Sequence, residues 1–326
     1  MERRQVALYL GAMVVGAALG LLLPDSVRPF PALVTPALMV LLVATFLSVP
    51  LARLAHAGRD ARFLIALLVL NFVAAPGVVF VLSRFVADDT ALLVGVLLVL
   101  LTPCVDYVIV FTRMAGGAAD RLLTATPALM VLQLLLLPLW LALFAGADTI
   151  VGINPGPFAE AFALFIVVPL TLAAGVQWAA SRWQAARAVV RSADDAMVPI
   201  MTATLLVVVA AQIPRLGSDH ANLLRAVPLF LVFLVAMTAL GLLAARLFRQ
   251  EVSSGRAIVF SGATRNSLVV LPLALALPEG LGLAASVVVT QTLVELVGMV
   301  VWVRLVPVLL PVRGPAGASV SPEVEG

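Results

Sequence analysis

The sequence contains little charge and few of the residues that chemistry usually requires. Only 11% of its 326 residues are charged, whereas soluble globular domains carry about 25%. The single cysteine excludes a disulfide framework and a multi-thiolate metal site. Only two histidines are present, and both lie in polar connections, which excludes an intramembrane metalloenzyme. With 63% hydrophobic residues and a mean hydropathy of +1.16, the chain must be solvated by a lipid bilayer.

Lysine is also absent, so all 20 basic residues are arginine. The net charge of the chain is +3, and in a membrane protein an excess of basic residues usually lies in the cytoplasmic loops. We therefore expect no nucleic-acid partner. The sequence has no nucleophile elbow, P-loop or Gly-rich nucleotide loop. We therefore expect no cofactor and no resident metal, and an intramembrane enzyme or a sensor is the disfavoured class.

Ten apolar segments are long enough to cross the hydrocarbon core as helices, which takes about 20 residues each. Numbered 1 to 10, they cover residues 6–23, 33–52, 62–84, 91–113, 121–144, 158–181, 197–213, 225–247, 256–278 and 282–307. If the N-terminus is cytoplasmic, most arginines lie on the cytoplasmic side of the membrane. The arginines on the other side are then Arg28, Arg84, Arg215 and Arg225. By the positive-inside rule we expect a multi-pass plasma-membrane protein with both termini in the cytoplasm.

The two halves of the chain share features in the same order. Segments 2 and 7 each run between prolines, segments 3 and 8 between arginines, and segments 5 and 10 (VLQLLLLPLW and LVELVGMVVW) end in tryptophan. Because five is odd, a second copy would be inverted, as is typical of transporters. We predict an all-α membrane protein with a first five-helix repeat over 1–148, an inverted repeat over 149–312 and a disordered cytoplasmic tail over 313–326.

Segments 4 and 9 are interrupted near their middles, in VLLTPCVDYVIVF and FSGATRNSLVVLPLAL. We assign Pro103, Gly262 and Pro272 as the helix breakers. Irregular backbone at membrane depth persists only where it is buried in protein or lines a cavity. Matched interruptions in two halves therefore predict a binding site where the two segments cross.

Three ionisable side chains lie within the spans: Asp106, Arg265 and Glu295. Such residues are costly in lipid and are functional candidates. Asp106 and Arg265 could form a structural ion pair or belong to the site. Glu295, with Asp106, is the candidate for proton coupling, although a neutral buried carboxyl would look the same.

Small polar residues surround these charges. The candidate substrate-binding residues are Cys104, Thr102, Thr264, Asn266, Ser267 and Arg265. Gln133, which aligns with Glu295 in the repeat, and Gln291, one turn before Glu295, are supporting polar residues. Cys104 could instead be a small buried hydrophobe, and Gln133 could simply hydrogen-bond between helices.

The motifs of segments 4, 9 and 10 resemble those of the arsenite efflux permeases, in the superfamily that also contains the bile acid:sodium symporters. The resemblance rests on Pro103-Cys104, on the region of Asn266, and on Val294-Glu295 followed by an apolar run. It implies ten helices in two inverted repeats, with Cys104 and Glu295 essential. The chain departs from those permeases at Val105-Asp106-Tyr107, where they have small or hydroxyl residues.

The resemblance predicts efflux of a metalloid oxyacid, arsenite or antimonite, coupled to H+. A soft thiolate such as that of Cys104 suits a soft metalloid. Sodium is a less favoured coupling ion, because segment 9 lacks the acidic residue and glutamine of the sodium-coupled relatives. The alternative is sodium- or proton-coupled symport of a small, bile acid-like organic anion, whose carboxylate Arg265 would hold.

Overall fold

The computed structural model describes residues 2–23, 26–49, 60–105, 107–146, 160, 162–216 and 220–311. In this part of the chain there are twelve helices and no extended strands: α1 (Glu2–Leu22), α2 (Phe30–Ser48), α3 (Ala61–Val86), α4 (Thr90–Leu100), α5 (Val108–Met114), α6 (Ala119–Ala145), α7 (Ala163–Ala180), α8 (Gln184–Leu216), α9 (His220–Leu247), α10 (Val252–Ala263), α11 (Ser267–Leu275) and α12 (Leu283–Leu309). Seven of them (α2, α3, α6–α9 and α12) are long and apolar enough to cross a membrane. The protein is therefore an all-α integral membrane protein, as the composition predicted.

The predicted segments correspond to these helices, and segments 4 and 9 are each divided in two. The first is split into α4 and α5, and the second into α10 and α11. The expected interruptions are thus confirmed, whereas the number of membrane crossings and the inverted repeat remain predictions. The predicted boundary between the two repeats, after residue 148, lies outside the described residues. The predicted disordered tail, residues 313–326, also lies outside them.

Helix α8 begins at Gln184, well before the predicted start at residue 197. Its first turns, QAARAVVRSADDA, combine alanine and arginine, which favour helix, with charged residues that hydropathy windows discard. Arg187 and Arg191, predicted to lie in a polar connection, are therefore on the helix.

Helix α3 contains a π-helical stretch, Leu70–Ala74, and α7 contains another, Ala163–Val167. A proline follows each stretch by two residues, Pro76 and Pro169. Proline lacks the N–H that an α-helical turn needs, so a wider turn here accommodates the missing hydrogen bond. The stretch in α3 includes the buried Asn71.

The helices pack in two groups. The first group is α1, α2, α7 and α8, and the second is α3–α6 with α9–α12. Small residues allow close approach: a Cβ at Gly16 of α1 would lie 2.8 Å from the Leu206 carbonyl oxygen of α8. A Cβ at Gly95 of α4 would lie 2.8 Å from Val287 of α12. Such small-residue contacts hold membrane helices together where no hydrophobic drive exists.

Candidate functional site

The two interrupted stretches meet and pair as a short antiparallel bridge, with Pro103 opposite Arg265. The Cys104 N–H donates to the Thr264 carbonyl at 3.3 Å, and the Asn266 N–H donates to the Thr102 carbonyl at 2.8 Å. Backbone groups released by one break are therefore satisfied by the other, as the membrane interior demands. Segments 4 and 9 cross here, as expected.

The bridge also fits the proposed alignment of the two halves. The sequence separation between Pro103 and Arg265 equals that between Gln133 and Glu295, and that between Trp140 and Trp302. A single alignment of the two halves therefore pairs the two breaks, the polar residues of segments 5 and 10, and the tryptophans that follow those residues. The internal repeat itself stays a prediction.

Two of the three assigned helix breakers are wrong. Pro103 lies in the break, but Gly262 lies inside α10 and Pro272 lies inside α11. Gly262 makes room for a neighbour, since a Cβ there would be 2.6 Å from Cδ2 of Leu70. Pro272 follows the first turn of α11 and removes one backbone hydrogen bond without ending the helix.

Glu295 is buried and connects α12 to both breaks. Its Oε1 accepts a hydrogen bond from the Tyr107 hydroxyl at 2.8 Å. Its Oε2 accepts from the backbone N–H of Arg265 at 2.8 Å and from the Gln291 side-chain amide. Three donors, one each from segments 4, 9 and 10, therefore converge on one carboxyl group, and the donor from segment 10 is Gln291.

Tyr107 was not among the predicted site residues. Its hydroxyl lies between Glu295 and the Arg265 carbonyl, 3.0 Å from the latter. The available signal was its position directly after the break, in a chain with only two tyrosines. A buried phenol at membrane depth requires a hydrogen-bond partner, and here the partner is the candidate coupling residue.

Arg265 is fully buried, with 0% of its surface exposed. Its Nη2 donates to Asn71 Oδ1 at 3.1 Å and to the Gly262 carbonyl, and its Cζ lies 4.9 Å from the ring centroid of Phe233. Nε and Nη1 have no hydrogen-bond partner among the described residues. Asp106 lies outside those residues, so its pairing with Arg265 and its role in coupling remain predictions.

Asn71 and Phe233 were also missed by sequence reasoning. Asn71 donates to the Ser261 hydroxyl at 3.1 Å and to the Leu67 carbonyl at 3.0 Å, which fixes the amide that receives Arg265. The sequence feature that could have identified Asn71 is that it is a single amide side chain in an apolar segment. No sequence feature distinguished Phe233, because phenylalanine is common in membrane helices.

The remaining predicted residues of the breaks serve mainly local structure. The hydroxyls of Thr102 and Thr264 donate back to carbonyls of their own helices, at 2.7 and 2.8 Å. Asn266 caps α11 by accepting from the Val269 N–H, and Ser267 accepts from Thr292 at 2.7 Å.

Cys104 and Gln133 are both buried. Cys104 lies in the break, where its N–H donates to the facing backbone. The side-chain amide of Gln133 in α6 has no partner among the described residues. Neither observation tests the roles expected of them.

A cavity of about 160 Å³ lies between the two helix groups. Its lining from the first group includes Tyr9, Thr45, Ser48, Val49, Met197 and Met201, and its lining from the second includes Val105, Tyr107, Ile109, Val110 and Leu123. The hydroxyls of Thr45 and Ser48 have no partner among the described residues. None of the predicted substrate-binding residues is part of this described lining, but Tyr107 joins the cavity wall to Glu295.

The chain matches the model of a known transporter family. The model of the SBF-like CPA transporter family matches residues 8–309, which is nearly the whole chain. No curated protein matches the chain significantly. The match covers both breaks, the cavity and Glu295, and it does not distinguish export of arsenite from transport of other solutes.

Proposed function

Because the chain belongs to the SBF-like CPA transporter family and is thus a secondary transporter, we propose that it exports arsenite or antimonite across the plasma membrane in exchange for protons. The observation that carries the proposal is the link between the cavity wall and the buried carboxyl, made by Tyr107 and Glu295. Intramembrane carboxyls in such positions commonly serve as proton carriers.

The hydrogen bonds around Glu295 support two protonation states. As a carboxylate, Glu295 accepts from Tyr107, from the Arg265 backbone and from Gln291. As a carboxylic acid it can donate to the Tyr107 oxygen, because the phenol can turn its own proton to the Arg265 carbonyl at 3.0 Å. In either state the Glu295 oxygens and the Tyr107 hydroxyl remain hydrogen-bonded, and the phenol proton moves between Glu295 and the Arg265 carbonyl. Glu295 would take up a proton on one side of the membrane and release it on the other.

The cavity chemistry supports a small, uncharged solute. Its described lining contains no charged side chain and its surface is almost entirely apolar, while its polar residues are Tyr9, Thr45, Ser48 and Tyr107. The thioethers of Met197 and Met201 are soft donors on the facing helix, and such donors suit a soft metalloid. The hydroxyls of Thr45 and Ser48, which have no partner among the described residues, would bind the metalloid's own hydroxyl groups. Cys104, next to Val105 of the wall, would contribute a transient sulfur contact.

A second candidate is symport of a small organic anion coupled to protons or sodium. The observation that favours it is the buried Arg265 guanidinium, two of whose nitrogens have no partner among the described residues. A carboxylate would accept a charge-assisted hydrogen bond from either of these nitrogens. For this candidate function, the anion must pass from the cavity beyond Tyr107 to Arg265, where segments 4 and 9 cross.

Metalloid accumulation tests the first proposal. Cells lacking their own arsenite exporter should accumulate less arsenite when they produce this protein, and Cys104→Ser should abolish the difference. In everted membrane vesicles, an imposed pH gradient should drive arsenite uptake by the native protein and not by Glu295→Gln. Glu251→Gln, at the exposed start of α10, is the matched carboxyl control and should behave like the native protein.

The outcomes separate the two candidates. Unchanged arsenite accumulation with the protein shown to be in the membrane would reject metalloid export. In that case, gradient-driven uptake of an amphipathic carboxylate that Cys104→Ser leaves intact would establish the organic-anion function. Transport by Glu295→Gln at the native rate and with the native pH dependence would remove this residue from coupling.

A further inference from the structure

The hairpin of α7 and α8 extends beyond the apolar part of its helices. Helix α8 has 33 residues, which at 1.5 Å per residue is about 50 Å, longer than the hydrocarbon core of about 30 Å. Its apolar part begins at Met197, whereas the turns from Gln184 to Ala196 carry four charged residues. These first turns are therefore positioned at the level of the lipid headgroups.

A second cavity, of about 520 Å³, opens at this level between the two helices. It is lined by Ala180 of α7 and by Gln184, Arg187, Val190 and Arg191 of α8. Arg187 and Arg191 are one turn apart and share a face. Among the described residues, no carboxylate oxygen lies within 4.0 Å of either guanidinium. Two cations thus line one cavity without a protein counter-ion in the described part of the chain.

Two exposed tryptophans lie beside this cavity, one near the end of α7 and the other just before α8. Trp178 and Trp183 are 57% and 63% exposed, and the Arg182 guanidinium lies 4.2 Å from the ring centroid of Trp178. Tryptophan is enriched at the boundary between hydrocarbon and headgroups, where its ring is partly apolar and its N–H is polar. The rings therefore place the cavity at the membrane surface, and Arg182 adds a third positive charge.

We propose that this cavity binds the phosphate headgroup of an anionic phospholipid, with Arg187 and Arg191 as its ligands. The planar guanidinium fork matches phosphate oxygens in pairs, and basic pockets between membrane helices bind anionic headgroups. The acyl chains would remain in the bilayer beside α7. Helix α8 also supplies Met197 and Met201 to the cavity between the helix groups, so a bound headgroup would hold the helix that forms one wall of that cavity.

Lipid retention by the purified full chain tests the site. Native mass spectrometry and thermal unfolding in detergent would compare phosphatidylglycerol with phosphatidylcholine. We expect the native protein to prefer phosphatidylglycerol by about tenfold or more, since each arginine near an anionic headgroup contributes appreciably. Arg187→Gln with Arg191→Gln should lose this preference. Arg246→Gln with Arg249→Gln, which removes the same charge at the end of α9, should keep it.

Each other outcome rejects the proposal. Equal preference in the Arg187/Arg191 variant and the native protein would place anionic lipid elsewhere. If inorganic phosphate alone stabilised the native protein as much as the lipid does, and the variant abolished this effect, the cavity would be a site for free phosphate. Should the double variant not fold, single Arg191→Gln makes the same comparison. The test uses no transported solute, so it is independent of the proposed function.

Discussion

The Tyr107 hydroxyl lies 2.8 Å from Oε1 of Glu295 and 3.0 Å from the backbone carbonyl of Arg265. A phenol has a single proton, so it can donate to only one of these two acceptors at a time. The choice between them depends on whether Glu295 carries a proton. Because the same ring forms part of the cavity wall, the protonation state of a buried carboxyl is connected to the surface that a solute would contact.

Tyr107→Phe keeps the ring and removes this connection. We expect the variant to fold and to exchange solute across vesicles without a gradient, while transport driven by a pH gradient falls about tenfold, the effect of losing one hydrogen bond to a charged group. Proton flux recorded with a pH-sensitive dye would measure the change. Tyr9→Phe, on the opposite cavity wall, should leave the ratio of protons to solute unchanged. A normal pH profile in Tyr107→Phe would contradict the role.

Asn71→Leu should destabilise the protein because it removes the acceptor that faces a fully buried guanidinium. The lost bond, from Arg265 Nη2 to Asn71 Oδ1 at 3.1 Å, involves a charged group, so we expect a cost of about 1.5–3 kcal/mol. Unfolding in mixed micelles with increasing SDS would measure it. Gln250→Leu, beyond the end of α9, should change the free energy of unfolding by less than about 0.5 kcal/mol. Equal effects of the two substitutions would show that Asn71 does not support Arg265.

Gly16→Ala should separate α1 from α8. The added Cβ would lie 2.8 Å from the Leu206 carbonyl oxygen, and overpacking of this kind costs about 1–3 kcal/mol. Gly11→Ala on the same helix is the matched control, because a Cβ there meets nothing within 4 Å. This control should be neutral or stabilising by up to about 1 kcal/mol, the helix preference of alanine over glycine. Thermal unfolding in detergent would compare them, and equal midpoints would refute the close contact.

Asp88→Asn should make stability less dependent on pH in the acidic range. Asp88 Oδ1 accepts from Arg225 Nη2 at 2.6 Å, and this hydrogen bond holds the pKa of Asp88 below its ordinary value of 3.8. A lowered folded-state pKa contributes stability above the unfolded value, and that contribution is lost as the pH falls through the folded value. The native protein should therefore be the more stable at neutral pH, by a small margin because both side chains are exposed. Thermal midpoints should converge as the pH falls, and Arg225→Gln should have the same effect.

The interruptions of segments 4 and 9 were predictable because their cause is local. Pro103 lacks an N–H, and the cluster from Thr264 to Ser267 is polar inside an apolar segment. Gly262 was misassigned because glycine permits both a break and a close contact, and only the presence of Leu70 decides between them. The start of α8 was missed because hydropathy detects the bilayer and not the helix that continues beyond it.

The contacts that complete the site could not be predicted in the same way. Asn71 and Arg265 are separated by 194 residues, and Tyr107 and Glu295 by 188. Such pairs depend on how the helices pack. Polarity within the spans identified Glu295 and Arg265 as candidates, but the positions of Tyr107 and Asn71 in the sequence did not show which charged group each of them contacts.

The antiparallel bridge between the breaks also restricts how the chain can vary in length. Each break supplies one N–H and one carbonyl to the other, through Cys104, Thr264, Asn266 and Thr102. An inserted or deleted residue in either break would shift the pairing and leave unpaired groups in both, at membrane depth where water cannot replace the lost partner. The lengths of the two breaks are therefore coupled. A change in the length of one break is tolerable only with a compensating change in the other.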